Sequence, residues 1–121
     1  MEPSPIITAY FEAWNRHDAD GIVACLTENG LYHDPYVPQG VGGDALAQYT
    51  QRVFNALPDI RFDIITTHIS KAAVIVEWVM VADPHVHLPG VDIFTVEVGK
   101  ILKVQGYYDR KTFEAQRNLL S

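Results

Sequence analysis

The sequence predicts an α+β fold, with helices leading and a largely antiparallel sheet built from the second half of the chain. Two patterns carry that expectation. Apolar residues recur at helical spacing as Ile7, Tyr10, Phe11 and Trp14, and again as Leu46, Tyr49, Val53 and Leu57. From Ile60 onward, four consecutive segments are rich in Val, Ile, Thr and aromatic residues, the side chains that suit a pleated surface.

Taken in order, Ser4-Pro5 is a helix start, with serine as N-cap and proline at the first helical position. Asn15 to Asp18 interrupts the stripe, and Asp18 can cap a short second helix through Ile22, Val23 and Leu26. Glu28-Asn29-Gly30 reads as a turn into a strand over Leu31 to Asp34, which Pro35 halts. Two prolines and three glycines make residues 35–43 a loop. A third helix is predicted over Asp44 to Leu57, ended by Pro58-Asp59. Strands follow over Ile60 to Ile69, Ala72 to Ala82, Val86 to Val98 and Lys100 to Tyr108. Ser70-Lys71 and Glu97 to Lys100 connect them as hairpins, and Arg110 to Leu120 closes the chain as a short helix.

The 121 residues suit one domain, 1–121, with a substantial core. A net charge of −6 with nine scattered basic residues argues against nucleic acid, which needs clustered Lys and Arg. No apolar run approaches the ~18 residues of a membrane span. The start Met1-Glu2-Pro3-Ser4-Pro5 lacks the charged and apolar regions of a secretory signal, so the expected location is cytoplasmic. Cys25 is the only cysteine, which excludes an intrachain disulfide; its apolar helical surroundings make it a core residue.

Function should show where polar groups interrupt the apolar pattern. Asp92, in Val91 to Val96, shares a strand face with Phe94 and Val96, and the opposite face is nearly as apolar. It either lies near a strand end facing solvent or is buried, where an unpaired carboxyl tends to keep its proton. Asp34 shares a face with Tyr32 and precedes Pro35. It is either a turn-initiating Asp-Pro or a rigidly held general base. Tyr10 lies on the inward stripe of the first helix, as core filler or as a phenol donor into a cavity. Trp78 reads as core or pocket wall, and Asp109 as a helix cap whatever else it does. His85 and His87 alternate on one face, but beyond a conceivable His33 no third ligand is evident, so no metal is expected. No phosphate-binding glycine motif or Gly-x-Ser-x-Gly elbow is present, and no cofactor is expected.

Tyr10-Phe11-Glu12-Ala13-Trp14-Asn15-Arg16-His17-Asp18, followed by Gly21-Ile22-Val23-Ala24, resembles the opening of nuclear-transport-factor-2-like proteins. That superfamily includes ketosteroid isomerase, the SnoaL-like polyketide cyclases, scytalone dehydratase and limonene epoxide hydrolase. The similarity runs from about Ile6 to Gln116. It implies a cone-shaped, cystatin-like roll: three N-terminal helices on a strongly curved, mostly antiparallel sheet enclosing an apolar pocket. It also implies a homodimer and a small apolar ligand.

The isomerases combine a helix-1 tyrosine, an Asp-Pro aspartate and a later strand aspartate followed by an aromatic. Tyr10 and Asp34 are 24 residues apart, like the family's interval, and Asp92 falls where the second aspartate is expected. By this resemblance Asp34 is a base acting on a flat ketone, with Tyr10 and a protonated Asp92 stabilising the dienolate. Trp14, Tyr32, His33, Phe54, Trp78 and Phe94 are the expected pocket walls. The isomerases carry further pocket tyrosines for which this sequence gives no assignment. Phe54 to Phe62 and Gly106 to Arg110 with Gln116 are closer to the cyclases, in which Asp109 would be the acid-base residue of an aldol closure. A third alternative is a non-catalytic member using the cavity for binding.

Overall fold

The computed structural model describes residues 5–118. Helix α1 (Pro5–Asn15) starts on the expected proline and buries Ile7, Tyr10, Phe11, Ala13 and Trp14. The proposed Ser4 cap lies outside the described residues. Asn15 ends the helix and fixes its position, donating to the Phe62 carbonyl (3.0 Å) and accepting from the Phe62 amide (2.7 Å). Asp18 caps α2 (Ala19–Ala24), accepting from the Gly21 amide at 2.9 Å. Cys25 is the C-cap of α2, buried as expected but past the helix.

Strand β1 (Leu26–His33) is longer than the sequence suggests. Leu26 pairs with Ile101 and Leu31 with Lys103, so five residues of β1 advance against two of its neighbour. Glu28-Asn29-Gly30 is therefore a bulge within the strand, and no turn precedes it. Two anchors hold this shape: Leu26 and Tyr32 are both buried, and the segment between them must bow outward. Gly30 permits the bow, because a Cβ there would press on the Ile101 carbonyl and the Leu26 side chain.

Helix α3 (Gly43–Ala56) follows, and then β2 (Arg61–Ile69), β3 (Val74–Ala82), β4 (Val86–Glu97) and β5 (Lys100–Tyr107). The sheet order is β1-β5-β4-β3-β2. All neighbours are antiparallel except β1 and β5, so the sheet is mixed. Val98 and Gly99 turn the β4–β5 hairpin with φ of 50° and 75°, the two positive values of a tight two-residue loop. Helix α4 (Arg110–Asn118) ends the described chain, with Phe113 buried. Gln116 clips it to β4, accepting from the His87 amide at 2.9 Å and donating to the His87 carbonyl at 3.1 Å.

The core lies between α1 and the sheet. Edge-to-face contacts link Tyr10 to Phe94 (5.3 Å), Phe11 to Phe94 (5.8 Å), Trp14 to Phe62 (5.3 Å) and Phe62 to Trp78 (4.9 Å). No helix among the described residues is long and apolar enough to cross a membrane.

Candidate active site

A cavity of about 250 Å³ opens between α1, α3 and α4 and the inner face of the sheet. Aromatic residues make up half of its lining, and Asp34 and Asp92 are its carboxylates. Both are almost fully buried, at 4% and 5% exposure.

Asp34 follows β1 directly. Its Oδ1 accepts from the backbone amides of Tyr36 (2.8 Å) and Val37 (3.1 Å). Its Oδ2 accepts from the phenols of Tyr32 (2.7 Å) and Tyr49 (2.6 Å). The turn-forming and site-forming readings of Asp-Pro are thus both true of one side chain. A carboxylate offers about four acceptor positions, and here four donors fill them. The Tyr32 and Tyr49 hydroxyls are pushed above the usual phenol range, first by burial and then by the Asp34 charge, so both remain donors.

Asp92 sits in β4 opposite Gly106 and Val76 and faces inward with Phe94. Burial, with Asp34 acting in the same direction, pushes its carboxyl up to about 7, while the Trp78 indole beside it favours the charged form. No well-formed hydrogen bond satisfies that indole N–H, and the buried Tyr10 hydroxyl likewise makes none among the described residues. Burial, followed by the Asp92 charge, holds the Tyr10 phenol well above its ordinary value. The cavity wall therefore contains two donors that make no well-formed hydrogen bond among the described residues, Tyr10 beside the Trp14 indole and Trp78 beside Asp92, and a carboxyl that keeps its proton to near neutrality.

Gly106 makes room for this carboxyl, because a Cβ there would lie 2.9 Å from Asp92 Oδ1. Gly106→Ala is expected to displace Asp92 and destabilise the fold by about 1–3 kcal/mol, the usual penalty of overpacking. Chemical denaturation of the two proteins checks it.

Of the residues the sequence singled out, the cavity brings together Tyr10, Asp34, Asp92, Trp14, Tyr32 and Trp78. Four others lie elsewhere. Asp109 is exposed and caps α4, accepting from the Thr112 hydroxyl at 2.6 Å and the Lys111 amide at 3.2 Å, which lowers its pKa. His33 turns to the following loop, its Nδ1 3.1 Å from the Pro38 carbonyl. Phe54 is buried beneath the cavity, stacked on His17 at 4.6 Å and against Trp14 at 5.4 Å. Phe94 is wholly enclosed by Tyr10 and Phe11.

The sequence reading missed Tyr49, Tyr36, Tyr108 and the two rim arginines, Arg52 and Arg117, all of which line the cavity. Tyr49 lay on the predicted stripe of α3, and its spacing gave only a core role. Among the described residues, no three of His, Cys, Asp and Glu gather as a metal-binding group.

No curated protein matches the chain. Among solved structures, a putative polyketide cyclase from Xanthomonas campestris is 26% identical, with a TM-score of 0.75 over 93% of each chain. A hypothetical protein with a ketosteroid isomerase-like fold from Catenulispora acidiphila, solved with trimethylamine, is 16% identical; its TM-score is 0.83, over 97% of this chain and 95% of that one. An epoxide hydrolase of the limonene epoxide hydrolase-like type from M. tuberculosis is 20% identical, with a TM-score of 0.72 over 96% and 89%. The family model described as a SnoaL-like domain matches residues 7–104, from within α1 to within β5, and includes Tyr10, Asp34 and Asp92. The chain belongs to the SnoaL-like domain family, on a nuclear-transport-factor-2-like, ketosteroid isomerase-like fold.

Proposed function

We propose that this protein is an acid–base catalyst of the ketosteroid-isomerase kind, moving a proton within a flat, apolar, enolisable ketone. One observation carries the reading: the buried Tyr10 hydroxyl makes no well-formed hydrogen bond among the described residues, in the wall of a cavity it shares with a buried carboxyl whose pKa is raised to about 7. Orphaned buried donors are costly to maintain, and an oxyanion that develops during reaction would satisfy them.

In the proposed cycle Asp34 takes the α proton. The C–H electrons delocalise onto the carbonyl oxygen, Tyr10 and protonated Asp92 donate to that oxygen, and Asp34 returns the proton to the γ carbon. Atoms and charge balance with no cofactor. For Asp34 to act, one phenol must release Oδ2, and Tyr49 is the more exposed of the two. The filled acceptor positions of Asp34 favour a second assignment, in which Asp34 only anchors the tyrosines and Asp92 is the base. Asp109, exposed at the N-terminal cap of α4, has no comparable contact supporting an aldol-closing role.

The ultraviolet conversion of a β,γ-unsaturated ketosteroid to its conjugated enone tests the activity directly. Binding of 2-naphthol, a phenol that imitates the dienolate, tests the donors. Tyr10→Phe is expected to weaken that binding about tenfold, as loss of one hydrogen bond to a partly charged oxygen should. No turnover together with binding indifferent to Tyr10 would favour a cavity that only holds ligands.

The reading includes a homodimer. Ile75, Val79, Ile93 and Tyr107 share the sheet face opposite the cavity and are partly or fully exposed, which suits a second copy. Light scattering during gel filtration measures the mass.

A further inference from the structure

The five arginines divide unequally. Arg16 pairs with Asp18 (3.0 Å), Arg61 with Asp63 (3.2 Å) and Asp83 (3.6 Å), and Arg110 with Glu114 (3.0 Å). Arg52 on α3 and Arg117 on α4 form no ion pair among the described residues, and both line the cavity. Both residues are exposed, whereas Asp34 and Asp92 are buried, so the arginines belong to the outer part of the cavity wall and the carboxyls to its inner part. In a chain of net charge −6, the two arginines that form no ion pair among the described residues line the same cavity.

The cavity itself is small. At about 250 Å³ it equals the share of roughly eight water molecules and falls at the low end for ligand pockets. A molecule whose oxygen reaches Tyr10 and Asp92 therefore leaves its other end near the opening. A guanidinium there presents a planar fork of N–H donors, the geometry that matches carboxylate and phosphate oxygens. Among the described residues, no carboxylate forms an ion pair with either fork.

We infer that the natural ligand is amphipathic: a flat apolar body with an enolisable oxygen at one end and an anionic oxygen group at the other, held by Arg52 and Arg117. This rests on the acid–base reading for the inner end and on the arginines alone for the outer end. An uncharged steroid would leave both arginines unused, so the inference narrows the substrate to a keto acid or a keto phosphate ester.

Calorimetric titration at about pH 6, where ordinary carboxylates are ionised, tests it with three probes. These are 2-naphthol, 6-hydroxy-2-naphthoate and 6-hydroxy-2-naphthyl phosphate. At low salt at least one anion is expected to bind about three- to tenfold more tightly than 2-naphthol, a gain limited by the exposure of the arginines. That gain should shrink as salt rises. The better of the two anions identifies the natural group as carboxylate or phosphate. Arg52→Gln combined with Arg117→Gln should erase the gain, so that neither anion binds that variant more tightly than 2-naphthol does. Equal or weaker binding of both anions by the wild-type protein overturns the inference, whatever the variants do, as does a gain that survives in the double variant. Binding of 2-naphthol that ignores Tyr10→Phe sinks the acid–base reading instead, and an arginine-dependent gain would then still stand. If no probe binds, both fall.

Discussion

Asp34→Asn is expected to lower kcat for ketosteroid isomerisation by about 10²–10⁴, the usual contribution of a positioned general base. Asparagine keeps an oxygen for the Tyr36 and Val37 amides, so the turn after β1 should survive, and circular dichroism checks that it does. Asp92→Asn should be milder, because an amide still donates a hydrogen bond to the oxyanion. The pH profile separates the two assignments. As a donor, Asp92 works only when protonated, so kcat should fall as pH rises through about 7, and this decline should vanish in Asp92→Asn. As a base, Asp92 works only when ionised, so kcat should rise through about 7 and Asp92→Asn should carry the larger loss. Rates measured for wild type and both variants across neutral pH decide between them.

The second large effect concerns stability. The Asp92 carboxyl is raised in the folded chain from an ordinary 3.8 to about 7, chiefly by burial. Between those values the folded state binds a proton that the unfolded state has released, so stability falls as pH rises through this window. Below about 4 the penalty is absent, and above about 7 it is complete. The gap is worth about 4 kcal/mol, taking 1.36 kcal/mol for each pH decade. Asp92→Asn removes the ionisation, so it should be more stable than wild type above about pH 8 and close to it at about pH 4. Denaturant midpoints at the two pH values measure this. A variant no more stable than wild type at the alkaline value would mean that the Asp92 charge is well solvated in the cavity.

Much of the architecture was legible in the residues. The stripe Ile7, Tyr10, Phe11 and Trp14 is the buried face of α1, and Asp18 caps α2 as its position suggests. The four strands after Ile60 sit where β-branched and aromatic residues cluster. The misreading of Glu28-Asn29-Gly30 has a clear cause. Its composition is that of a turn, and only the pairing of Leu26 with Ile101 and Leu31 with Lys103 makes it a bulge. Within the site, Tyr10, Asp34 and Asp92 were visible as polar interruptions of apolar patterns. Phe54 and Phe94 were misplaced because an aromatic at a core position gives no sign of whether a cavity or another ring lies beyond it.

The sequence by itself determined what depends on near neighbours along the chain: helix spacing, caps, the succession of strands, and the three polar residues set among apolar ones. Only the tertiary structure decided which surroundings those residues meet. It brings the Tyr49 phenol of α3 to Asp34, buries the Tyr10 and Trp78 donors with no well-formed hydrogen bond among the described residues, and sets Arg52 and Arg117 from separate helices in the wall of one cavity. Burial, hydrogen bonding and charge act through space over a few ångströms, and groups from different elements of the chain meet at that range, as Tyr49 of α3 meets Asp34.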